Sequence, residues 1–410
     1  MSAASEAMAS RRVVGFLNTH PIQYFAPMYA YLNAAPDLAV KAFYISDYSL
    51  RGGADRAFGQ TVAWDIDLLE GYEAEFVAGA RRREEASGFF SMVAPGLWSA
   101  IGRARLDALV VHGHTPAAML VGIAAAKARG LPVFMRGETH LGLARSGLKA
   151  RLRTPVMSAF YAGLDGVLAI GSANHAFYRA MGVPENRIFS VPYTVDNARF
   201  AAASRLSAPE RAERRRFLGA PDDRPIVLYA AKFQDRKRPG DLVRAAAELE
   251  RSGACFHLAM VGSGELEPQL RRLAADLGLA GVSFPGFVNQ SGLPALYGAS
   301  DVFVLASQNE PWGLAINEAM CAGLPIVTTD AVGAAADLVR DGVNGAVIPA
   351  GDVAALAGAL APMLRDADAR RRMGAASADI IARWSYAECL AGLRQALASV
   401  GGAAGARAAR

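Results

Sequence analysis

The sequence contains little cysteine, with Cys255, Cys321 and Cys389 as the three such residues among 410. They lie far apart along the chain, and their number is odd. This pattern excludes a disulfide framework, and no two of them have the spacing of a structural zinc site. Scarce and scattered cysteine is typical of a reducing compartment, so we expect a cytoplasmic protein.

Long hydrophobic runs are missing as well. No stretch of about 18 consecutive apolar residues occurs, and we therefore expect no membrane-spanning helix. The apolar run that follows Arg11 and Arg12 is too short for the core of a signal peptide. The net charge of +5 is modest and suits an anionic ligand such as a phosphate, and we expect no nucleic-acid partner.

Two common nucleotide-binding glycine patterns are also absent. The first apolar run, 12–17, is followed by "NTHPIQY" without a glycine fingerprint, which disfavours a nicotinamide dehydrogenase. The sequence "VGSGE" at 261–265 lacks the third glycine of that fingerprint and is not a P-loop. Its two glycines permit close approach of a phosphate to the backbone, and a tight turn without a ligand is the alternative.

The sequence does contain a regular alternation of short apolar runs and helical patterns. The predicted strands are 12–17, 39–45, 108–113, 132–137, 166–171, 225–233, 255–264, 282–288, 301–307, 325–330 and 345–351. The predicted helices are 117–130, 239–251, 265–278, 291–299, 313–322 and 352–364. This alternation predicts the α/β class, with parallel sheets covered by helices on both faces.

At 410 residues the chain exceeds the usual limit of a single core. We predict two facing Rossmann-like α/β domains at 1–195 and 205–380, joined by a linker near 192–205. A C-terminal helix at 381–400 is expected to pack back toward the first domain, with a flexible tail at 401–410. Such domains bind ligands at the carboxyl ends of their strands, so an interdomain cleft is the expected site.

Two lysines follow the first predicted strand of the second domain. Lys232 lies at the strand end, and Lys237 precedes a helix that begins near Pro239. Two cations beside a helix N-terminus favour an anion site, because the exposed amides add to their charge. The alternative is a solvated basic turn that also contains Arg236 and Arg238.

The segment "SQNEPWGLAINEAMCAGLPIV" (307–327) holds two glutamates in an apolar context. Glu310 is expected in the loop after a strand, and Glu318 in the second turn of a helix that begins at Gly313–Leu314. The two carboxylates then do not share a face, so we predict separate roles as acceptors of hydrogen bonds from hydroxyls. The helix N-terminus between them offers amides to phosphate oxygens.

This segment resembles the donor-binding signature of the retaining glycosyltransferases of family 4, which have the GT-B fold. Four further segments resemble motifs of the same family in the same order: "VPYTVDNARF" (191–200), "KFQDRK" (232–237), "MVGSGELEPQLRRLAADLGL" (260–279) and "DLVRDGVNGAVIPAGD" (337–352). The segments "NTHPIQYFAPMY" (18–29) and "WDIDLLEGY" (64–72) resemble a bacterial subset that builds surface polysaccharides.

The resemblance implies a role for individual residues of the second half. Glu310 would bind hydroxyls of the donor sugar, and Glu318 would bind the nucleotide ribose. The remaining implied contacts are Lys232 and Lys237 to the diphosphate, the backbone of Gly313 and Leu314 to phosphate oxygens, Gly262 at the close approach of the diphosphate, and the backbone near Val288 to the base.

The first half would supply the acceptor side. His20 and Gln23 occupy the loop where the family usually has a glycine-rich segment. The resemblance places His114 near the reacting face of the sugar, with a core or loop histidine as the alternative. Arg136 and Glu138 are further candidates for contact with the acceptor or the donor, and a structural salt bridge is the alternative for them.

A metal site is not expected. His112 and His114 share a face of a strand but lack an evident third ligand. Asp65 and Asp67 form a lone Asp-x-Asp in a predicted surface loop. The resemblance implies a metal-independent reaction in which the protein stabilises the departing diphosphate electrostatically, and we expect no cofactor.

Together these features predict a retaining glycosyltransferase that moves a sugar from a nucleotide-diphosphate sugar to a glycan, a glycolipid or another hydroxyl acceptor. A sugar-nucleotide epimerase and a non-catalytic sugar-nucleotide-binding protein are the alternatives. The basic segment 146–164 suggests peripheral contact with an anionic membrane at its inner face, and a buried helix with a basic exposed side is the alternative.

Overall fold

The computed structural model describes residues 11–55, 60–77, 88–143, 148–220 and 222–407. The chain divides into two compact units. The first unit contains the residues up to Ala54, Val62–Pro192 and the C-terminal residues from Tyr386. The second unit contains Asp55–Thr61 and Tyr193–Ser385.

The first unit is built on a seven-stranded parallel sheet with the order β5-β2-β1-β6-β7-β8-β9. The strands β3 and β4 form a separate two-stranded sheet. In chain order the strands are β1 (Arg12–Asn18), β2 (Leu38–Tyr44), β3 (Gly53–Asp55), β4 (Gln60–Val62), β5 (Glu73–Phe76), β6 (Ala108–His112), β7 (Val133–Arg136), β8 (Gly166–Ala169) and β9 (Ile188–Ser190).

The second unit is built on a six-stranded parallel sheet with the order β12-β11-β10-β13-β14-β15. Its strands are β10 (Ile226–Ala230), β11 (His257–Val261), β12 (Val282–Gly286), β13 (Val302–Leu305), β14 (Ile326–Thr329) and β15 (Gly345–Ile348).

Helices alternate with these strands and bury them. Those up to residue 180 are α1 (Ala26–Asn33), α2 (Tyr48–Arg51), α3 (Gly96–Arg103), α4 (Ala117–Lys127), α5 (Leu148–Ala162) and α6 (Ser172–Ala180). Those after it are α7 (Asn197–Ala203), α8 (Ala208–Phe217), α9 (Pro239–Arg251), α10 (Glu267–Asp276), α11 (Leu293–Ala299), α12 (Leu314–Cys321), α13 (Ala335–Leu338), α14 (Val353–Arg365), α15 (Ala367–Ile381) and α16 (Tyr386–Arg407).

The predicted α/β class with two parallel sheets is confirmed. Every predicted strand forms, and so do the six predicted helices between 117 and 364, with ends that differ by at most three residues. The C-terminal helix, predicted at 381–400, forms at Tyr386–Arg407. The edge strands Glu73–Phe76 and Ile188–Ser190 were not predicted, because each is short and carries polar residues among few apolar ones. Short, polar strands are usual at sheet edges, where they reduce pairing with other chains.

The helix α16 belongs to the first unit. Cys389 Sγ lies 3.2 Å from the carbonyl oxygen of Pro192, and Arg12 donates a 2.9 Å hydrogen bond to the carbonyl of Leu397. The guanidinium of Arg394 also pairs with Asp37. The helix continues to Arg407, so residues 401–407, where we expected a flexible tail, are helical.

The basic segment 146–164 forms the helix α5 from Leu148, and Pro155 lies inside this helix instead of ending it. The side chains of Lys149, Arg151 and Arg153 lie outside the described residues. Within the part of the chain that the structure describes, every helix is too short or too polar to cross a bilayer.

Candidate functional site

The strand order of the second sheet reverses between β10 and β13. From β10 the chain proceeds to β11 and β12 on one side, and β13 to β15 lie on the other side. The loops that leave β10 and β13 therefore diverge at the carboxyl edge, which is where open α/β sheets bind ligands. These two loops are 231–238 and 306–313, and they carry the lysines and Glu310.

The loop after β13 holds Glu310 in a fixed position. Its amide donates to the carbonyl of Ala331 at 3.2 Å, and its carbonyl accepts from the amide of Gly333 at 3.0 Å. The residue is 8% exposed. A carboxylate with so little exposure requires cationic or hydrogen-bonding partners, because an unpaired buried charge is costly.

The loop after β10 supplies those partners. Lys237 Nζ donates to Oε2 of Glu310, and a guanidinium nitrogen of Arg236 reaches the same oxygen at 3.3 Å. Ser307 Oγ lies 3.4 Å from it. The amide of Gln308 bonds to the carbonyl of Arg236 at 2.9 Å, which joins the two loops through their backbones as well.

The electrostatics of Lys237 reflect this crowded site. Burial lowers the pKa of Lys237, the charge of Glu310 raises it, and the positive charges of Arg236 and Lys232 lower it again. Lys232 is half-buried, and its carbonyl accepts a 3.1 Å hydrogen bond from the hydroxyl of Tyr229. The structure thus brings Lys232, Lys237 and Glu310 together, as two cations and one anion.

Sequence reasoning did not predict the contribution of the two arginines. Arg236 was named only in the alternative of a solvated basic turn, and the structure makes it a second cation on Glu310. Arg238 has a left-handed backbone with φ of +47°. It pairs with Asp241 and donates to Gln308 at 2.9 Å, which connects the first turn of α9 to the loop of Glu310. The only available signal was the density of basic residues in "DRKR".

The helix α12 begins at Leu314, as predicted, and Gly313 has φ of +101° immediately before it. A Cβ on Gly313 would lie 2.9 Å from Val332 Cγ1 and 3.0 Å from Leu305 Cδ2. Glycine is therefore required by both conformation and space. The helix start directs its first amides away from the helix, where anionic oxygens are stabilised.

Glu318 lies in the second turn of α12 and is 2% exposed. Its Oε2 accepts a 2.7 Å hydrogen bond from the hydroxyl of Tyr297 on α11. Glu318 accepts from Tyr297, whereas Glu310 accepts from Lys237 and Arg236. Tyr297 lies in none of the sequence motifs, and its role was missed.

Gly262 has φ of +140°, and a Cβ there would lie 2.1 Å from the carbonyl oxygen of Ala231. Gly264, with φ of +156°, would place a Cβ 2.6 Å from the carbonyl oxygen of Phe233. The two glycines therefore let the turn after β11 pack on the turn after β10. Close approach of this chain's own backbone is a reason for glycine that the sequence prediction did not include.

Val288 lies in the loop after β12 and is half-buried. The neighbouring residue Gln290 is 3% exposed and is held by Arg199, which donates to its carbonyl at 3.1 Å and to its Oε1 at 3.2 Å. The backbone near Val288 is thereby anchored to α7.

In the first sheet, the order reverses between β1 and β6. The hydroxyl of Tyr29 connects the two strand ends, because it accepts from Asn18 Nδ2 at 2.7 Å and bonds His112 Nε2 at 2.9 Å. The pKa of His112 lies well below its usual value, because of burial and the nearby charge of Arg136.

Arg136 is 3% exposed. It donates to the carbonyl of Pro192 at 2.8 Å, and its guanidinium lies 5.4 Å from the ring centroid of Phe25. These contacts tie the end of β7 to the backbone at Pro192 and to the ring of Phe25. Glu138, in contrast, is exposed and lies in the loop that directly follows β7.

The histidines of the loops differ in environment. His114 follows β6, is half-buried, and lies 6.0 Å from the ring of Phe160. His20 Nδ1 is 2.8 Å from Thr19 Oγ1, and its ring meets that of Tyr48 edge-on at 4.4 Å. Burial lowers the pKa of His20 to about 4.

Gln23 lies, half-buried, in the turn between β1 and α1. Asp65 and Asp67 lie in the loop that precedes β5, as predicted. Among the residues described, no group of three or more histidine, cysteine, aspartate or glutamate side chains is arranged to hold a metal ion.

Two family profiles match the chain. Residues 58–194 match the glycosyl transferase 4-like domain, and residues 210–379 match the glycosyl transferases group 1. The first of these matches lies in the first half of the chain, and the second lies in the second half.

The chain is also similar to curated proteins. It is 30% identical over 319 residues to D-inositol 3-phosphate glycosyltransferase 1 of Catenulispora acidiphila, covering 73% of this chain and 74% of that protein. It is 36% identical over 220 residues to D-inositol 3-phosphate glycosyltransferase of Nocardia farcinica, covering 52% and 47%. It is 34% identical to the lipopolysaccharide core biosynthesis glycosyltransferase LpsE of Rhizobium meliloti, covering 42% of this chain and 48% of that protein. The chain thus spans about half the length of these last two relatives.

Solved structures share the fold. Anabaena HepE, solved in complex with UDP and glucose, has a TM-score of 0.71 at 19% identity, with 95% of this chain and 100% of that chain covered. Sucrose-phosphate synthase from Thermosynechococcus elongatus has a TM-score of 0.72 at 20% identity, with 96% and 100% covered. The chain therefore belongs to the glycosyltransferases of family 4, which have the GT-B fold.

Proposed function

We propose that this chain transfers a sugar from a nucleotide-diphosphate sugar to a hydroxyl acceptor, with retention of configuration and without a metal. The observation that carries this proposal is the convergence of Glu310, Lys237 and Arg236 at the reversal point of the second sheet. Beside them lies the start of α12, a helix N-terminus suited to phosphate oxygens. One carboxylate next to several cations suits a ligand that presents both hydroxyls and phosphates.

Each residue then has a separate task. Lys232, Lys237 and the amides at Gly313 and Leu314 stabilise the diphosphate, most strongly when it departs with full charge. Glu310 accepts hydrogen bonds from the sugar hydroxyls. Buried donors and acceptors that are fixed in advance stabilise developing charge without reorganisation at the moment of reaction.

The rest of the donor contacts the nucleoside. Glu318, held by Tyr297, accepts from the ribose hydroxyls. The backbone near Val288 contacts the base, and Gly262 keeps the adjacent turn close enough for the diphosphate to fit. A diphosphate held by lysines and amides alone requires no metal ion and no further cofactor.

The first unit binds the acceptor in this proposal. His20, Gln23 and Glu138 contact it, and His114 donates a hydrogen bond toward the reacting sugar. Arg136 acts indirectly, because its donated hydrogen bonds fix the backbone at Pro192.

The acceptor is a glycan or glycolipid of the cell surface. This class is supported by the resemblance to bacterial surface-polysaccharide enzymes and by the name of the Rhizobium meliloti relative. A cytoplasmic enzyme of this kind meets its acceptor at the inner face of the membrane, where peripheral contact of the first unit with anionic lipid is expected.

A thermal-shift panel tests the donor proposal. UDP-, GDP-, ADP- and dTDP-sugars are added separately, and one of them should raise the melting temperature, because a ligand bound only by the folded state stabilises it. The Lys232→Ala/Lys237→Ala double variant should lose most of that shift. No shift with any nucleotide sugar, or an unchanged shift in the double variant, would contradict the assigned site.

Turnover separates the proposal from its alternatives. Glu310→Ala should abolish transfer to an acceptor while the protein remains folded. A sugar-nucleotide epimerase would form product from the donor alone, whereas a transferase requires the acceptor. A chain that binds the donor but turns over under neither condition would be a non-catalytic binding protein.

A further inference from the structure

Glu310 and Lys237 form an ion pair with each other. Their side chains are each 11% exposed, and the ammonium donates directly to Oε2 of the carboxylate. The residue proposed to receive sugar hydroxyls is thus the counter-ion of the residue proposed to hold the diphosphate. A donor that enters the site must change the partners of both.

This change of partners affects binding of the nucleotide sugar and of the nucleoside diphosphate differently. A desolvated ammonium requires an anionic partner, and either Glu310 or a phosphate can provide it. When the intact nucleotide sugar is bound, the phosphate takes Lys237, and the sugar hydroxyls donate to Glu310. When only the nucleoside diphosphate remains, no sugar hydroxyl is available, and the carboxylate competes with the phosphate for the ammonium.

Arg236 keeps the carboxylate of Glu310 close to the ammonium of Lys237 during this competition. It bonds the same oxygen of Glu310 at 3.3 Å and is 44% exposed, so it holds the carboxylate near Lys237 while the partners change. Arg238 does not take part in this way, because Asp241 pairs with its guanidinium. Lys232 adds positive charge that weakens the protonation of Lys237, as does Arg236.

We propose that Glu310 is a product-release residue: by competing for Lys237, it weakens the binding of the nucleoside diphosphate relative to the intact nucleotide sugar. This inference rests on the proposed function, because it requires a diphosphate at Lys237. The carboxylate of Glu310 then favours binding of the intact nucleotide sugar and also favours release of the nucleoside diphosphate.

The test is isothermal titration of UDP, GDP, ADP and dTDP into wild type and Glu310→Gln. Glutamine keeps the shape and can still bond hydroxyls, but it does not attract an ammonium. The dissociation constant for the nucleoside diphosphate that binds wild type should fall about five- to tenfold, the scale of one partly screened charge pair. The constant for the matching nucleotide sugar should not fall by this factor.

Two controls isolate the cause. Glu248→Gln removes the same charge from an exposed position of α9, and it should leave both constants near those of wild type. In the Lys237→Ala background, Glu310→Gln should no longer tighten binding of the nucleoside diphosphate, because the ammonium for which Glu310 and the phosphate compete is absent. If binding of the nucleoside diphosphate still becomes tighter without Lys237, or also becomes tighter in Glu248→Gln, the proposed competition for Lys237 is wrong.

The outcomes separate the two proposals. If none of UDP, GDP, ADP and dTDP binds wild type, the proposed function fails and this inference fails with it. If one binds but Glu310→Gln does not bind it more tightly, only the release role is wrong. If Glu310→Gln does not fold, Glu310→Asp serves instead, because its carboxylate is drawn back by one methylene; it should show a smaller tightening, and unchanged or weaker binding would overturn the role.

Discussion

The hydroxyl of Tyr297 donates a 2.7 Å hydrogen bond to Oε2 of Glu318, and both side chains are buried, at 1% and 2% exposure. Tyr297 belongs to α11 and Glu318 to α12, so this bond joins two consecutive helices beneath the candidate donor site. A buried carboxylate is costly unless donors surround it. The tyrosine is therefore a positioning residue for a glutamate that we assign to the ribose.

Tyr297→Phe is expected to lower the free energy of unfolding by about 2 kcal/mol, because a hydrogen bond to a charged group is lost inside the protein. Urea denaturation measures this difference. Tyr229→Phe is the matched control, since its hydroxyl donates to the neutral carbonyl of Lys232 and should cost only about 1 kcal/mol. Equal costs for the two variants would show that Glu318 does not depend on its tyrosine.

Gly262→Ala should be strongly destabilising, by about 3 kcal/mol or more, because a Cβ would lie 2.1 Å from the carbonyl oxygen of Ala231. Gly253→Ala provides the comparison. Gly253 also has a positive φ, of +86°, but a Cβ there meets nothing within 4 Å. It should cost about 1 kcal/mol from backbone strain alone. Similar denaturation midpoints for the two variants would refute the steric argument.

Asn317→Leu should cost about 2 to 4 kcal/mol, because it leaves two buried groups without their partner. Asn317 is 0% exposed, accepts from Trp312 Nε1 at 2.9 Å and donates to the carbonyl of Tyr193 at 3.0 Å. Denaturation followed by tryptophan fluorescence measures the stability, and Trp312 is one of the four tryptophans that contribute to the signal. Asn309→Leu, at an exposed position of the adjacent loop, should leave stability nearly unchanged.

His20 should make stability depend on pH below neutrality. Burial lowers its pKa to about 4 from 6.5, so between these values the unfolded chain binds the proton and the native protein does not. Stability contributed in this way is complete above pH 6.5 and falls as the pH decreases toward 4. His20→Gln should remove this part of the dependence.

The measurement is urea denaturation of wild type and His20→Gln at pH 4.5 and pH 7.5. The acid-induced loss should be smaller in the variant by up to about 2 kcal/mol, at roughly 1.4 kcal/mol per pKa unit. His112 and His257, whose pKa values are also lowered by burial, remain in both proteins and cancel in the comparison. Parallel pH profiles for the two proteins would contradict the assignment.

The central strands were predictable because each is an apolar run bounded by glycine, proline or polar residues. The edge strands Glu73–Phe76 and Ile188–Ser190 were not, since their pairing depends on the neighbouring strand more than on their own composition. The helix start at Leu314 followed from local signals, because a positive-φ glycine precedes it.

The contacts of the candidate site were less predictable. Sequence reasoning found Lys237 and Glu310 but not their ion pair, because the two are 73 residues apart and the strand order alone makes them neighbours. Arg236 was missed for the same reason. Tyr297 was missed because it lies in an apolar helix that resembles ordinary core.

The placement of α16 has a consequence for synthesis of the protein. The second unit is nearly continuous, from Tyr193 to Ser385, whereas the first unit combines segments before Tyr193 with the helix α16. The ribosome therefore releases all of Tyr193–Ser385 before the helix that reaches Pro192 and Arg12 has emerged. A nascent chain can therefore complete its second unit while the first unit still lacks α16.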